Sequence, residues 1–135
     1  MIVEIVADTS AVVAVITEQP EKSDLIRLTQ GADLVAPSSL YWEVGNALSA
    51  MFKRKALTLE GAQRCLEIFR EIPMRYVDVE LSAALNMAAR YSIYAYDAYV
   101  LACCTNRRAP VLTLDSGMKA RAGELKIEVI EVKVV

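Results

Sequence analysis

Four acidic residues, Asp8, Glu43, Asp97 and Asp115, stand where apolar stretches of the chain break off or where a helix turns a face inward. Asp8 ends the branched run Ile2-Val3-Glu4-Ile5-Val6-Ala7, and Asp115 ends Val111-Leu112-Thr113-Leu114. Asp97 is the single charge in Tyr94-Ala95-Tyr96-Asp97-Ala98-Tyr99-Val100-Leu101. Glu43 lies beside Val44, Ala47 and Leu48, which share one side of a helical pattern. A carboxylate next to a core stripe must be paired or coordinated to be tolerated. Four of them brought together would repel strongly, and a divalent cation is the simplest remedy. Taken singly, Asp8, Asp97 and Asp115 also read as helix caps, because each precedes a helical run, and Glu43 reads as a solvated side chain.

The chain contains no histidine. That removes the Ser-His-Asp and Cys-His nucleophile systems, the H-E-x-x-H zinc site and the histidine general base. Hydrolytic chemistry would have to run on carboxylates with a metal, and oxygen ligands without histidine or a thiol cluster favour a hard ion, Mg²⁺ or Mn²⁺ where phosphate is involved. Cys65, Cys103 and Cys104 have no C-x-x-C spacing and read as buried thiols. The formal net charge of −2 does not advertise a polyanionic partner, so local patches must decide that question. Candidate phosphate contacts are Lys53-Arg54-Lys55, Arg107-Arg108, and Lys119 with Arg121. Near helix C-termini, the first two clusters would equally complement a helix dipole. Tyr41 and Trp42 flank Glu43 and read as packing or interface residues, with base stacking as the alternative.

The elements that must position these residues follow from periodicity. Ile2 to Ala7 reads as a strand covered on both faces, and Ala11 to Ile16 as a short buried helix. Ser23 to Gln30 reads as a helix ended by Gly31, and Leu34-Val35-Ala36 as a second strand. Pro37-Ser38-Ser39 launches a helix to about Lys55, with Leu40, Val44, Ala47, Leu48 and Met51 on one face. Thr58 caps a helix over Leu59 to Glu71, Tyr76-Val77 begins a strand, and Leu81 to Tyr91 is helical. Asp97 opens a helix over Ala98 to Asn106, Val111 to Leu114 is a strand, Ser116 to Glu124 a helix, and Ile127 to Val135 alternates like an edge strand. Strands separated by helices predict an α/β domain with a mainly parallel sheet. In such sheets a site lies beyond the carboxyl ends of strands, where strand order reverses. With 135 residues, 55% of them apolar, one domain over 1–135 is expected. No apolar run is long enough to span a membrane and the first residues have no basic signal-peptide character, so a soluble cytoplasmic protein is expected.

The opening strand with Asp8-Thr9-Ser10-Ala11, the Glu43-Val44-Gly45-Asn46-Ala47-Leu48 helix, Tyr96-Asp97-Ala98-Tyr99 and Leu112-Thr113-Leu114-Asp115 together resemble the PIN-domain pattern, in that order and across essentially the whole chain. Size and spacing are especially similar to toxin nucleases of the VapC type, which are made with a neutralising antitoxin of the VapB type. The resemblance implies a PIN-like α/β fold with a five-stranded parallel sheet flanked by helices, in which the strands ending at Asp8 and Asp115 are central neighbours. It implies an endoribonuclease whose Asp8, Glu43, Asp97 and Asp115 hold Mg²⁺ or Mn²⁺, with Thr9, Ser10, Asn46 and Thr113 as supporting hydrogen-bonders and RNA as substrate. Together with the apolar content it also implies a homodimer, with residues near Trp42, Met51, Phe52 and Leu57 contributing.

Other readings compete. A phosphatase of the haloacid dehalogenase type needs a second Asp two residues after the first, where this chain has Ser10. A receiver-type signalling domain would accept phosphate on Asp78 and wants paired acids after the first strand, where only Asp8 stands. A non-catalytic PIN-like module that binds RNA or protein is the third, at the electrostatic expense of keeping four acids without a metal.

Overall fold

The computed structural model describes residues 2–134. The elements run β1 (Glu4–Ala7), α1 (Thr9–Ile16), α2 (Lys22–Thr29), β2 (Asp33–Pro37), α3 (Ser39–Lys53), α4 (Leu59–Glu71), β3 (Arg75–Val77), α5 (Leu81–Tyr91), α6 (Ala95–Arg107), β4 (Val111–Leu112) and α7 (Ser116–Glu124). Alternation along β1 sends Val6 to one side of the sheet and Ile5 and Ala7 to the other. Val6 pairs in register with Val35 of β2 and Val111 of β4, and this fully buried row of valines packs under Val100, Leu101, Met118 and Ala122 of α6 and α7. Ile5 and Ala7 meet residues of α1 to α4, among them Val12, Ile16, Leu25, Leu40, Val44 and Phe69. Two helical layers thus cover both faces, which is why Ile5, Val6 and Ala7 are all apolar and buried, whereas Ile2 and Val3 of the expected strand lie exposed before it.

The sheet order is β3-β2-β1-β4, with every pair parallel. The chain steps outward from β1 to β2 to β3, then crosses back over β1 to place β4 on its other side. Strand order therefore reverses between β1 and β4, and a crevice opens beyond their carboxyl ends. Asp8 follows β1 directly and Asp115 follows β4 by three residues, so the two acids flank this crevice. Asp78, which a receiver would phosphorylate, follows the edge strand β3 two strands away from β1.

Among the described residues the sheet has four strands rather than the expected five. Residues beyond Ile127 meet β4 at one bridge, Val129 to Val111, through Val111 N–H to the Glu128 carbonyl (2.9 Å) and Ile130 N–H to the Val111 carbonyl (3.0 Å). No ladder develops because the backbone donors on both sides go to side chains. Leu114 N–H and Asp115 N–H donate to the hydroxyls of Ser10 and Thr113, which also confines β4 to two residues of the expected four. In the tail, Lys133 N–H donates to Asp24 Oδ2 at 2.7 Å. Val135 lies outside the described residues.

The end of α2 and the start of α4 follow the local signals. Gly31 takes φ +77° just after α2, a left-handed turn that glycine enters without steric cost. The Thr58 hydroxyl accepts Gly61 N–H at 3.0 Å and caps α4. No helix among the described residues is long and apolar enough to cross a membrane.

Asp24 is only 5% exposed. The Lys133 amide, then the Arg27 guanidinium, hold its carboxyl below the usual carboxylate range. A depressed carboxyl contributes stability above its unfolded pKa of about 3.9, lost as pH falls through the lower folded value. Asp24→Ala should lower the thermal midpoint and accelerate hydrogen exchange at the Lys133 amide at neutral pH. The wild type should show the same acceleration only in acid below the ordinary carboxylate range. Unchanged Lys133 exchange in the variant would mean that the tail is held by its apolar contacts alone.

Candidate active site

Asp8 sits where β1 stops and α1 begins, in extended backbone, and both oxygens of its carboxylate accept hydrogen bonds from its own neighbourhood. Oδ1 accepts Thr9 N–H at 2.8 Å, which caps α1. Oδ2 accepts two hydroxyl protons, from Ser10 at 2.9 Å and from Thr113 at 2.6 Å. Each hydroxyl has one proton to give. With both committed to Asp8, the oxygens of Ser10 and Thr113 are free to accept Leu114 N–H at 3.0 Å and Asp115 N–H at 3.1 Å. A carboxylate oxygen offers about two lone pairs. Oδ2 is therefore saturated, and Oδ1 retains one for a ligand.

Thr9 ties the next acid in. Its hydroxyl donates to Glu43 Oε2 at 3.1 Å, so one residue serves Asp8 through its backbone and Glu43 through its side chain. Glu43 is half-buried one turn inside α3, beside the buried Leu40 and Val44. Burial first, then the charges of Asp8 and Asp97, push its carboxyl above the usual range, against the opposing Thr9 hydrogen bond. Asp97 lies in the first turn of α6 and does not cap it, because the helix starts two residues earlier at Ala95. Its carboxyl is also raised, by burial and then by Asp8 and Asp115. Asp115 is exposed and caps α7, with Oδ2 accepting Met118 N–H at 2.7 Å.

The four acids thus act on one another, and none of them takes part in an ion pair among the described residues. Thr9, Ser10 and Thr113 touch this cluster. Asn46 does not: it is exposed, and no side-chain hydrogen bond from it occurs among the described residues. The basic clusters divide in the same way. From Glu43 to Lys53, and from Asp97 to Arg107, each helix descends about 15 Å at ~1.5 Å per residue, which carries Lys53-Arg54-Lys55 and Arg107-Arg108 to the opposite end of the sheet. Arg107 is engaged there by both carboxylate oxygens of Glu4. Arg121 lines the cleft that holds Asp97 and Asp115.

A family model described as PIN domain matches residues 5–124. The chain belongs to the PIN-domain family. No curated protein sequence matches this PIN domain. Solved structures do. PAE2754 from Pyrobaculum aerophilum is 19% identical with a TM-score of 0.67, over 90% of this chain and 87% of that one. VapBC2 from Rickettsia felis, bound to a DNA fragment from its promoter, is 13% identical with a TM-score of 0.68, over 96% and 99%. VapC20 of Mycobacterium tuberculosis, a sarcin-ricin loop cleaving toxin, is 16% identical with a TM-score of 0.64, over 87% and 94%. At these identities the likeness establishes a shared fold, and with the family match it bears out the PIN resemblance read from the motifs.

The donor set of this PIN domain fits a hard divalent ion in its chemistry: carboxylate oxygens, no nitrogen or sulfur, and negative charges that are in no ion pair among the described residues. Among the described residues no three acidic or thiol side chains stand close enough together, as placed, to hold a metal ion. Asp97 and Asp115 instead line an open cleft with Ser92, Tyr94, Gly117 and Arg121. The sequence reading did not single out Tyr94. Its signal was available as a tyrosine between the end of one helical run and the start of the next.

Thr113 carries the heaviest load among the uncharged residues, being fully buried, donor to Asp8 and acceptor for Asp115 N–H. Thr113→Val should cost about 1–3 kcal/mol by leaving that N–H without a partner. It should also weaken Mn²⁺ binding about 10–100-fold, as loss of an orienting partner of a ligand does. Thr113→Ser should retain both. Urea unfolding and calorimetric Mn²⁺ titration read the two effects, and wild-type Mn²⁺ affinity in Thr113→Val would remove Thr113 from the site.

Proposed function

We propose that this PIN domain is a divalent-metal-dependent endoribonuclease that hydrolyses RNA phosphodiester bonds in the cytoplasm, as the toxin of a toxin-antitoxin pair with a VapB-type antitoxin. What supports the reading is that the acids at the β1/β4 crevice act on one another in pairs, Glu43 with Asp8 and Asp97, and Asp97 with Asp8 and Asp115, while none of the four is in an ion pair among the described residues. The toxin role rests on the fold shared with VapC20 and VapBC2. These four acids would hold Mg²⁺ or Mn²⁺, which supplies an acidified water as nucleophile and charge to offset the reacting phosphate.

The chain's own groups do the rest. Ser10 and Thr113 hold Oδ2 of the Asp8 carboxylate, which leaves Oδ1 one lone pair beyond the bond from Thr9 N–H, and the Thr9 hydroxyl holds Glu43. Glu43 and Asp97 must ionise to serve as ligands. Because their carboxyls are raised, readiness increases as pH rises through values above the ordinary carboxylate range. Activity should therefore fall on the acid side at a higher pH than a solvent-exposed carboxylate would dictate, and Glu43→Gln should lower activity while raising the thermal stability of the metal-free protein.

The deciding experiment is RNA cleavage with Mg²⁺, Mn²⁺ or EDTA by the wild type and by Asp8→Asn, Asp97→Asn and Asp115→Asn. Asparagine is itself a good cap, so the fold should survive while the ligand charge is lost. Cleavage should vanish in EDTA and fall at least ~100-fold in the variants, comparable to the effects of losing one electrostatic group in a hydrolytic site. Wild-type rates in Asp8→Asn, or cleavage in excess EDTA, would overturn the reading. RNA binding without cleavage in any metal would leave a non-catalytic PIN-like module.

We also propose a homodimer. Trp42 is 73% exposed beside the half-exposed Tyr41, while Met51, Phe52 and Leu57 pack against the core and contribute little outer surface. Leu81 and Leu85 on α5 are exposed as well. Sedimentation at micromolar concentration should give a dimer that Trp42→Glu shifts to monomer; a monomeric wild type would refute it.

A further inference from the structure

We infer that the cleft leading from Asp97 and Asp115 to Tyr94 is the subsite for the nucleotide flanking the scissile phosphate in single-stranded RNA, with Arg121 holding the adjacent phosphate and Tyr94 stacking on the base. This rests on the ribonuclease reading above. The cleft begins at two of the four acids and continues past Gly117 to Arg121 on α7 and to Ser92 and Tyr94 in the turn between α5 and α6. A strand whose scissile phosphate lies over the acids would run its next phosphate along that path, where the guanidinium of Arg121 stands.

Arg121 is the basic residue positioned to do so. Lys53-Arg54-Lys55 and Arg107-Arg108 lie at the far end of the sheet, and Arg107 is engaged by Glu4. The guanidinium of Arg121 meets Glu124 at 2.8 Å within one helix turn, both side chains well exposed. Such a surface pair contributes little and exchanges readily for a phosphate, which a guanidinium binds with two parallel hydrogen bonds. The floor of the cleft is kept low by Gly117, where a Cβ would stand 3.3 Å from Asp115 Oδ2.

Tyr94 is 85% exposed and belongs to no aromatic pair among the described residues. A ring so exposed contributes almost nothing to packing. Beside an acidic site it is a stacking platform of the kind that takes bases of any sequence.

The test is fluorescence anisotropy of a short fluorescein-labelled oligoribonucleotide without secondary structure, on the Asp8→Asn background so that the strand stays uncut. Tyr94→Ala should weaken binding about tenfold, Tyr94→Phe should not, and neither should move the thermal midpoint. Arg121→Gln should weaken binding and make the slope of log affinity against log salt shallower by about 0.7, one phosphate contact fewer on a single strand. If the wild type cleaves RNA with Mg²⁺ or Mn²⁺ while Tyr94→Ala and Arg121→Gln bind within about twofold of their parent, the subsite is overturned and the ribonuclease reading stands. If the wild type neither binds nor cleaves RNA, both fall together. A Tyr94→Ala protein with altered sedimentation but unaltered RNA affinity assigns the ring to a subunit contact and likewise overturns the inference.

Discussion

Carboxylates repel, and the carboxyl end of this sheet is organised by how Asp8 is held against that repulsion. Its Oδ2 takes the protons of both Ser10 and Thr113, and those hydroxyls in turn accept the N–H groups of Leu114 and Asp115. One oxygen atom thereby links the start of α1 to the loop between β4 and α7. The link fixes where Asp115 stands, and Asp115 in turn starts α7 through Met118 N–H. It also explains why β4 is short: hydrogen-bond donors that a longer strand would spend on its neighbour are turned inward to orient a carboxylate.

The positions of Asp8 and Asp115 were legible in the sequence because an apolar branched run that stops at an aspartate before a helical pattern locates a strand end with little ambiguity. The helices over Leu59–Glu71, Leu81–Tyr91 and Ser116–Glu124 were legible for the same reason, each having a cap and a clear period. Asp97 misled as a helix opener. Tyr94-Ala95-Tyr96 gives no capping side chain, so the aspartate attracted the boundary that belongs three residues earlier. The missing fifth strand could not be read, since Ile127 to Val135 alternates as a strand should. What redirects it is Asp24, a residue more than a hundred positions away in sequence.

Helix geometry alone separates Asn46 from Glu43. At about 100° per residue, Asn46 points roughly 200° around α3 from the buried Val44, whereas Glu43 sits only about 100° away. Asn46 was therefore bound for solvent and Glu43 for the boundary. Counting rise along α3 and α6 likewise separates their basic C-terminal turns from the acids on their first turns. Lysines and arginines there complement the carbonyl ends of the helices, and in Arg107 the partner is the glutamate that opens β1.

The manner in which the last segment is attached has a consequence for self-association. Its residues cover the outer edge of β4, but the cover is held by one bridge, a few apolar contacts from Ile130 and Val132, and a single carboxylate on α2. Local opening of such a segment requires far less than global unfolding. When it lifts, the unpaired backbone of β4 and a strip of aliphatic side chains become a template for a strand from another molecule. Asp24 is in this sense a guard against aggregation, since the charge that draws the tail inward keeps a sticky edge out of reach.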